Sequence, residues 1–205
     1  MKLIALTGGI GTGKSSVARV FRSLGWEVLS SDSTAKTVTG SNPEVRSAIA
    51  ALLGDDVLTS DGLNSRLVAE RVFGSDAESS TRLRELEKII HPHVLEYHMK
   101  QIHELNERGS GTVVVDSALI YEVGLEDGFD YVVVVNASEQ ECIRRVMQRS
   151  GLTEEQVRQR MKQQMPMKEK CMRADFVIEN SGTLDELEAA AKKLAAIIQA
   201  LPDRQ

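Results

Sequence analysis

Eight residues near the start of the chain, Gly8-Gly9-Ile10-Gly11-Thr12-Gly13-Lys14-Ser15, follow the spacing G-x-x-x-x-G-K-[ST]. Glycines at these positions let successive backbone N–H groups turn inward around phosphate oxygens. A lysine at the sixth step can reach β and γ phosphates, and the Ser15 hydroxyl suits Mg²⁺. The run follows the apolar stretch "KLIALT" and opens a helical pattern, the strand-to-helix context that the chemistry needs. An acid at the end of another strand would complete a metal site, and Asp116 closes "TVVVD"; it could equally be a helix cap or a turn residue.

A phosphate loop serves switches, motors and small-molecule kinases alike. No [NT]-K-x-D and no D-x-x-G occurs, which removes the signals of a GTP switch, and 205 residues are too few for a large motor. A small-molecule kinase needs three further parts: an acid near the loop, an acceptor pocket and a cationic lid. Asp32, in "VLSSDSTAK" just after a second strand, is the candidate acid, because ligands bind outside the carboxyl ends of strands in an open parallel sheet. It could also cap the helix it begins. The segment Arg144–Arg173 holds nine basic residues against Glu154, Glu155 and Glu169, in a chain whose net charge is −5. Such a basic stretch in an acidic protein points to a discrete anionic ligand, although any one of its arginines could be an ordinary solvated side chain.

Five short β-type runs are expected to form the framework: 2–7, 26–29, 112–116, 130–135 and 175–179. Several are near-continuous Val/Ile runs, as in strands buried on both faces of a parallel sheet. Helical patterns alternate with them. The first runs from about Lys14 to Leu24 and stops at Gly25. Capping boxes are expected at Ser138/Glu141, Thr153/Gln156 and Thr183/Glu186. The last helix shows an apolar stripe of Leu184, Leu187, Ala191, Leu194, Ile198 and Leu201. The fold class is α/β, a phosphate-loop NTPase type of doubly wound five-stranded parallel sheet. One connection, 30–111, is far too long for a simple crossover and reads as almost wholly helical. Asn42-Pro43 starts one of its helices, and His91-Pro92 is expected to separate two others. The expected organisation is a single kinase domain over 1–205. It has a nucleotide-binding core (1–29, 112–143, 174–205), a helical acceptor-binding insertion (30–111) and a basic helical lid (144–173).

Other features exclude more than they suggest. No apolar run is long enough to span a membrane and "MKLIALTGG" lacks a signal-peptide layout, so a cytoplasmic location is expected. Cys142 and Cys171 have no metal or redox spacing, and His91, His93, His98 and His103 are not spaced to stack ligands on one helical face. The acidic net charge argues against nucleic acid, and the basic segment has no aromatic residue to stack bases. A monomer is expected, since no long apolar stripe is left once the core is assigned.

The sequence resembles the dephospho-CoA kinase family over nearly its whole length. The resemblance rests on "LTGGIGTGKSSVA", "LEKIIHPHV", "VVVDSALIYEVGLEDGFDYVVVV", "CIRRVMQRSGLTEEQVRQRMKQQMP" and "ADFVIENSG". It implies transfer of the ATP γ-phosphate to the 3′-hydroxyl of dephospho-CoA, with Mg²⁺ accompanying ATP. By position it implies a catalytic base at Asp32, a nucleotide loop over Gly11, Thr12, Gly13, Lys14, Ser15 and Ser16, and lid arginines at Arg145 and Arg149. It further implies an adenine-side asparagine at Asn180 and acceptor-bordering residues at His91 and Glu122. Two departures stand out: the family's first acid after the second strand is Ser30 here, and Ala118 and Tyr121 replace its usual proline and phenylalanine. Another acceptor on the same architecture, or an ATP-binding regulator that has lost catalysis, stay open as alternatives.

Overall fold

The computed structural model describes residues 1–74 and 78–203. Residues 75–77, inside the expected insertion, and 204–205, at the end of the expected core, lie outside them. The chain divides into two compact units, Met1–Ser30 with Leu105–Gln205, and Ser31–Glu104. The first unit opens with β1 (Lys2–Thr7), α1 (Lys14–Ser23) and β2 (Glu27–Ser30). The second holds α2 (Ser31–Ser41), α3 (Pro43–Leu53), β3 (Leu58–Thr59), β4 (Gly62–Leu63), α4 (Ser65–Val72) and most of α5 (Ser79–Glu107). The chain then returns to the first unit through β5 (Thr112–Asp116), β6 (Tyr131–Asn136), α6 (Glu139–Ser150), α7 (Glu154–Lys162), α8 (Met167–Arg173), β7 (Phe176–Glu179) and α9 (Leu184–Ala200).

In the first unit five parallel strands stand in the order β2-β5-β1-β6-β7. Ile4, Leu6, Val114, Val133 and Val135 pack with Val17, Phe21, Leu187, Ala191 and Ile198 from α1 and α9. The alternating positions Ala5, Val113, Val115, Val132 and Val134 are buried as well. Burial on both faces explains why these strands carry continuous Val/Ile runs. α1 ends where Gly25 takes φ 82°, which lets Trp26 fold back so that its ring lies 4.7 Å from that of Phe21. The stripe of α9 is shorter than its sequence suggests: Leu184 is exposed in the first turn, and Leu201 lies just past the last.

Two of the expected capping boxes close in both directions, at Thr153/Gln156 and Thr183/Glu186. The third closes in one direction only. The Ser138 hydroxyl accepts from the Glu141 N–H at 3.3 Å, but the Glu141 carboxylate is taken by Arg144 and Arg145. A charge-assisted pair with two guanidiniums outcompetes a single backbone N–H.

The second unit adds one feature to the expected helices and corrects one expectation. β3 and β4 form a short antiparallel hairpin with Leu58 opposite Leu63. Runs of two residues are too short to leave a period-2 signal. His91-Pro92 does not separate two helices, because α5 runs unbroken through Pro92 for 29 residues. Proline removes one backbone hydrogen bond, a local loss that a helix anchored on both sides by packing can absorb. Here Leu83 and Leu86 are buried before the proline, and Val94 and His98 after it. Asn42 starts α3 with its side chain accepting from the Glu44 and Val45 N–H groups, and Pro43 occupies the first helical position.

Candidate functional site

The phosphate loop spans the turn from β1 into α1. Gly13 stands at the head of α1 with φ 96°, and no side chain caps that helix start. The first N–H groups of a helix lack intrahelical partners, so an uncapped start presents them, with the positive end of the helix dipole, to an anion. Gly11 takes φ 84°, and a Cβ there would come within 2.6 Å of the Cys142 carbonyl on α6. Only glycine fits between the loop and that helix. Thr12 is buried, its hydroxyl donating to the Gly9 carbonyl at 2.9 Å. Its own carbonyl accepts from Asn180 Nδ2 at 2.8 Å. Asn180 therefore braces the loop from the end of β7, a contact that spacing alone does not reveal. Ser15 is exposed at the start of α1 and Ser16 is half-buried beside it.

Lys14 is ion-paired with Asp116, both side chains being largely buried. Strand register explains the meeting. Asp116 is the last residue of β5, in register with Leu6 of β1 on one side and Ser30 of β2 on the other. All three lie at the carboxyl edge of the sheet, where the phosphate loop begins.

The basic segment is not a uniform charged face. Glu141 binds both Arg144 and Arg145, and their guanidiniums push its carboxyl down to about 2. Arg145 also donates through Nη2 to the Asn180 carbonyl at 3.3 Å, while its buried Nη1 has no hydrogen-bond partner. Arg145 thus stands one residue removed from the loop, through Asn180, with the Nη1 group left over for a ligand. Arg149, one turn further along α6, is exposed.

After α7 the chain turns back toward the loop. Gln164 Oε1 accepts from the Ile10 N–H at 3.0 Å, and Met167 Sδ accepts from the Gly9 N–H at 3.1 Å. Glu122 Oε1 accepts from the Met165 N–H at 2.8 Å and is ion-paired with Lys170 at 2.8 Å. Glu122 is therefore engaged with the segment that follows α7. Its second oxygen is buried without a hydrogen bond. Tyr121 carries Arg173 over its ring at 4.8 Å, and burial raises its hydroxyl to about 12. Gln164, Met167 and Lys170 were not legible as neighbours of the loop, since a glutamine, a methionine and one lysine among nine basic residues carry no motif.

Within the second unit, Asp32 is exposed in the first turn of α2. His91 is half-buried and its pKa is lowered by burial. His98 is also lowered by burial, and its Nε2 lies 2.9 Å from the Thr34 hydroxyl. That contact ties α5 to α2 two residues beyond Asp32. A cavity of about 820 Å³ lies elsewhere in this unit, lined by residues including Gly40, Arg46, Ala50, Asp55 and Leu58. None of its lining residues is a candidate site residue. No helix among the described residues is long and apolar enough to cross a membrane.

Residues 2–186 match the family model described as dephospho-CoA kinase. A dephospho-CoA kinase of Syntrophotalea carbinolica is 38% identical over 91% of this chain and 87% of its own length. One of Corynebacterium glutamicum is 36% identical over 97% of this chain and 98% of its own. Among solved structures, TT1252 from Thermus thermophilus is 36% identical with a TM-score of 0.75, covering 96% of this chain and 97% of that one. The dephospho-CoA kinase from Campylobacter jejuni, at 23% identity and a TM-score of 0.68 over 96% of each chain, shares the fold. So does the shikimate kinase from Acinetobacter baumannii, at 19% identity and a TM-score of 0.53 over 97% of this chain and 93% of that one. The chain belongs to the dephospho-CoA kinase family, whose members are ATP-dependent phosphotransferases.

Proposed function

We propose that this chain transfers the γ-phosphate of ATP to the 3′-hydroxyl of dephospho-CoA, releasing coenzyme A and ADP, with the residues described above in the following roles. The N–H groups of Gly11 to Ser16 hold the phosphates. Lys14 exchanges Asp116 for the β and γ oxygens when ATP arrives. The observation that carries this reading is the uncapped, glycine-built start of α1, with the Lys14–Asp116 pair beside it at the carboxyl edge of the sheet. The family match over residues 2–186 supports the acceptor.

Ser15 and Asp116 are the residues that would hold Mg²⁺. Both offer oxygen, the hard donor this ion takes, and Asp116 is already committed to a cationic partner, so the donor set fits. With ATP bound, the ion would supply charge neutralisation to the phosphates. Asp32 lies two residues beyond Ser30, the strand-register partner of Asp116, which supports its role as the base for the acceptor hydroxyl. Arg145, with Arg149 closing from the next turn of α6, would meet the charge that develops on the transferring group and keep water out. His91 and Glu122 would border the acceptor, and Asn180 would meet the adenine side while bracing the loop. In domain terms, the sheet is the nucleotide core, 30–111 the acceptor-binding insertion and 144–173 the lid. The same reading places the enzyme in the cytoplasm as a monomer, with neither nucleic acid nor membrane as a partner.

The test is phosphoryl transfer from Mg-ATP with dephospho-CoA set beside AMP, CMP and shikimate, scored by product mass. A new product at the mass of coenzyme A from dephospho-CoA alone is expected. Reaction with another acceptor in its place would leave a kinase but remove this substrate.

A further inference from the structure

Lys170 has no exposed surface. A buried ammonium persists only where fixed partners replace its water. Lys170 Nζ has two such partners, the Ala118 carbonyl at 2.6 Å and Glu122 Oε1 at 2.8 Å. Ala118 lies two residues past Asp116. The same Glu122 oxygen also receives the Met165 N–H, so one carboxylate oxygen gathers two donors from the segment that follows α7. On either side of Met165, Gln164 and Met167 accept the N–H groups of Ile10 and Gly9. Three stretches are tied together in this way: the entry to the phosphate loop, the returning leg of the lid, and the loop that leaves Asp116. Burial lowers the Lys170 pKa against the pull of Glu122, and the charge of Lys14 lowers it further, so the two ammonium groups feel each other.

We propose that Lys170 is a positioning residue of the phosphate site: through Glu122 and the Met165 amide it holds the lid's returning leg on Gly9 and Ile10, and so sets affinity for ATP without touching it. Fixing the entry of the loop leaves its later N–H groups preorganised for phosphate, which removes an ordering cost from nucleotide binding. A pair that served only stability would have no reason to act on one substrate. The inference rests on ATP being held by the Lys14 loop.

The experiment is steady-state kinetics with both substrates varied, together with thermal melting, on Lys170→Met/Glu122→Gln and Gln164→Ala. The double variant removes both charges of the pair, which avoids stranding either one. The expected result is a melting temperature within a few degrees of wild type and a KM for ATP raised about tenfold. With Gln164→Ala, which leaves Glu122 in place, the KM for dephospho-CoA should stay within about twofold. Gln164→Ala should raise the KM for ATP about threefold, and add little when placed on the double variant, because both changes open one contact. An unchanged KM for ATP, with activity falling only as the folded fraction falls, would overturn the proposal. Full additivity of Gln164→Ala would do the same. If the double variant does not fold, Gln164→Ala decides alone, and a wild-type KM for ATP sinks the idea. Lys14→Met serves as a control. Loss of binding of a fluorescent ATP analogue there, with unchanged KM in the Lys170 variants, rejects the role of Lys170 alone. Wild-type binding there rejects the loop assignment, and this proposal with it.

Discussion

The two compact units handle charge in opposite ways. In the first, the candidate groups are held by partners: Lys14 by Asp116, Arg145 by Glu141 and the Asn180 carbonyl, and the Thr12 carbonyl by Asn180. In the second, the strong polar contacts belong to the scaffold. Arg46 donates to the carbonyls of Thr39, Thr59 and Gly62, and Arg71 pairs with Asp56, while Asp32 is exposed. Triphosphate is the same anion in every turnover, so a site fixed in advance loses little and saves ordering cost. The base proposed at Asp32, which must meet a large acceptor, can be left at the surface until that acceptor arrives. The contrast makes a claim about kinetics: substitutions of the partnered groups in the first unit should disturb ATP affinity, and those at the proposed base should disturb only turnover.

The largest expected effect tests that claim directly. Asp32→Ala should lower kcat about 10²–10⁴-fold, the usual contribution of a positioned base, with the Kd of a fluorescent ATP analogue within about twofold of wild type. Lys14→Met should lose analogue binding as well as turnover. If Asp32→Ala loses nucleotide binding too, the division between the units fails.

The next effect separates two arginines that the sequence could not. Arg145 is fixed near the loop and keeps a buried, unsatisfied Nη1 group, whereas Arg149 is exposed. Arg145→Ala should lower kcat/KM for ATP about 10²-fold and reduce stability, because Glu141 loses one of its two guanidiniums. Arg149→Ala should leave the melting temperature unchanged and act on kcat alone. Equal effects on ATP affinity from both would show that the grip of Glu141 has no functional consequence.

Legibility in the sequence follows the same division. The sheet was readable because strands buried on both faces need uninterrupted Val and Ile, and each of the five runs became a strand within a residue or so. The phosphate loop was readable because tight backbone geometry restricts residue type at several neighbouring positions, as the blocked Cβ at Gly11 shows. The unreadable parts depend on long-range meetings between ordinary residues. Gln164 and Met167 reach the loop from more than 150 positions away, and a glutamine has no spacing rule that announces it. Pro92 misled for a different reason. The local bias against helix before proline is real, but tertiary packing along both halves of α5 overrode it.

Pro92 also offers a prediction of smaller size. A proline inside a helix costs up to about 3 kcal/mol relative to alanine. Pro92→Ala should therefore raise stability, by about 1–3 kcal/mol in chemical denaturation, if nothing else depends on the proline ring or the missing hydrogen bond. The comparison sharpens if the stabilised variant shows a higher KM for dephospho-CoA with an unchanged KM for ATP. Proline would then shape acceptor binding at the expense of the second unit's stability. A variant that is no more stable would show that the helix has already adapted fully around Pro92.

The smallest effect concerns acid. All four histidines lie on α5, and burial lowers the pKa of His91 and His98 below the ordinary value of 6.5. Below that value the unfolded chain takes up protons that the folded chain refuses, so stability is full above about pH 6.5 and is lost as pH falls toward the folded pKa values. In the first unit Glu141 behaves oppositely in timing. Its pKa is lowered to about 2 by Arg144 and Arg145, so its contribution is present above about pH 4.5 and is lost only as pH falls through about 2. As pH falls below about 6.5 the second unit should therefore weaken first. Hydrogen exchange followed by peptide should show protection falling in 31–104 while β1, β5 and β6 keep theirs, and His98→Gln should shrink that difference. A uniform loss across both units would mean that they unfold together, and that the paired charges of the first confer no separate resistance to acid.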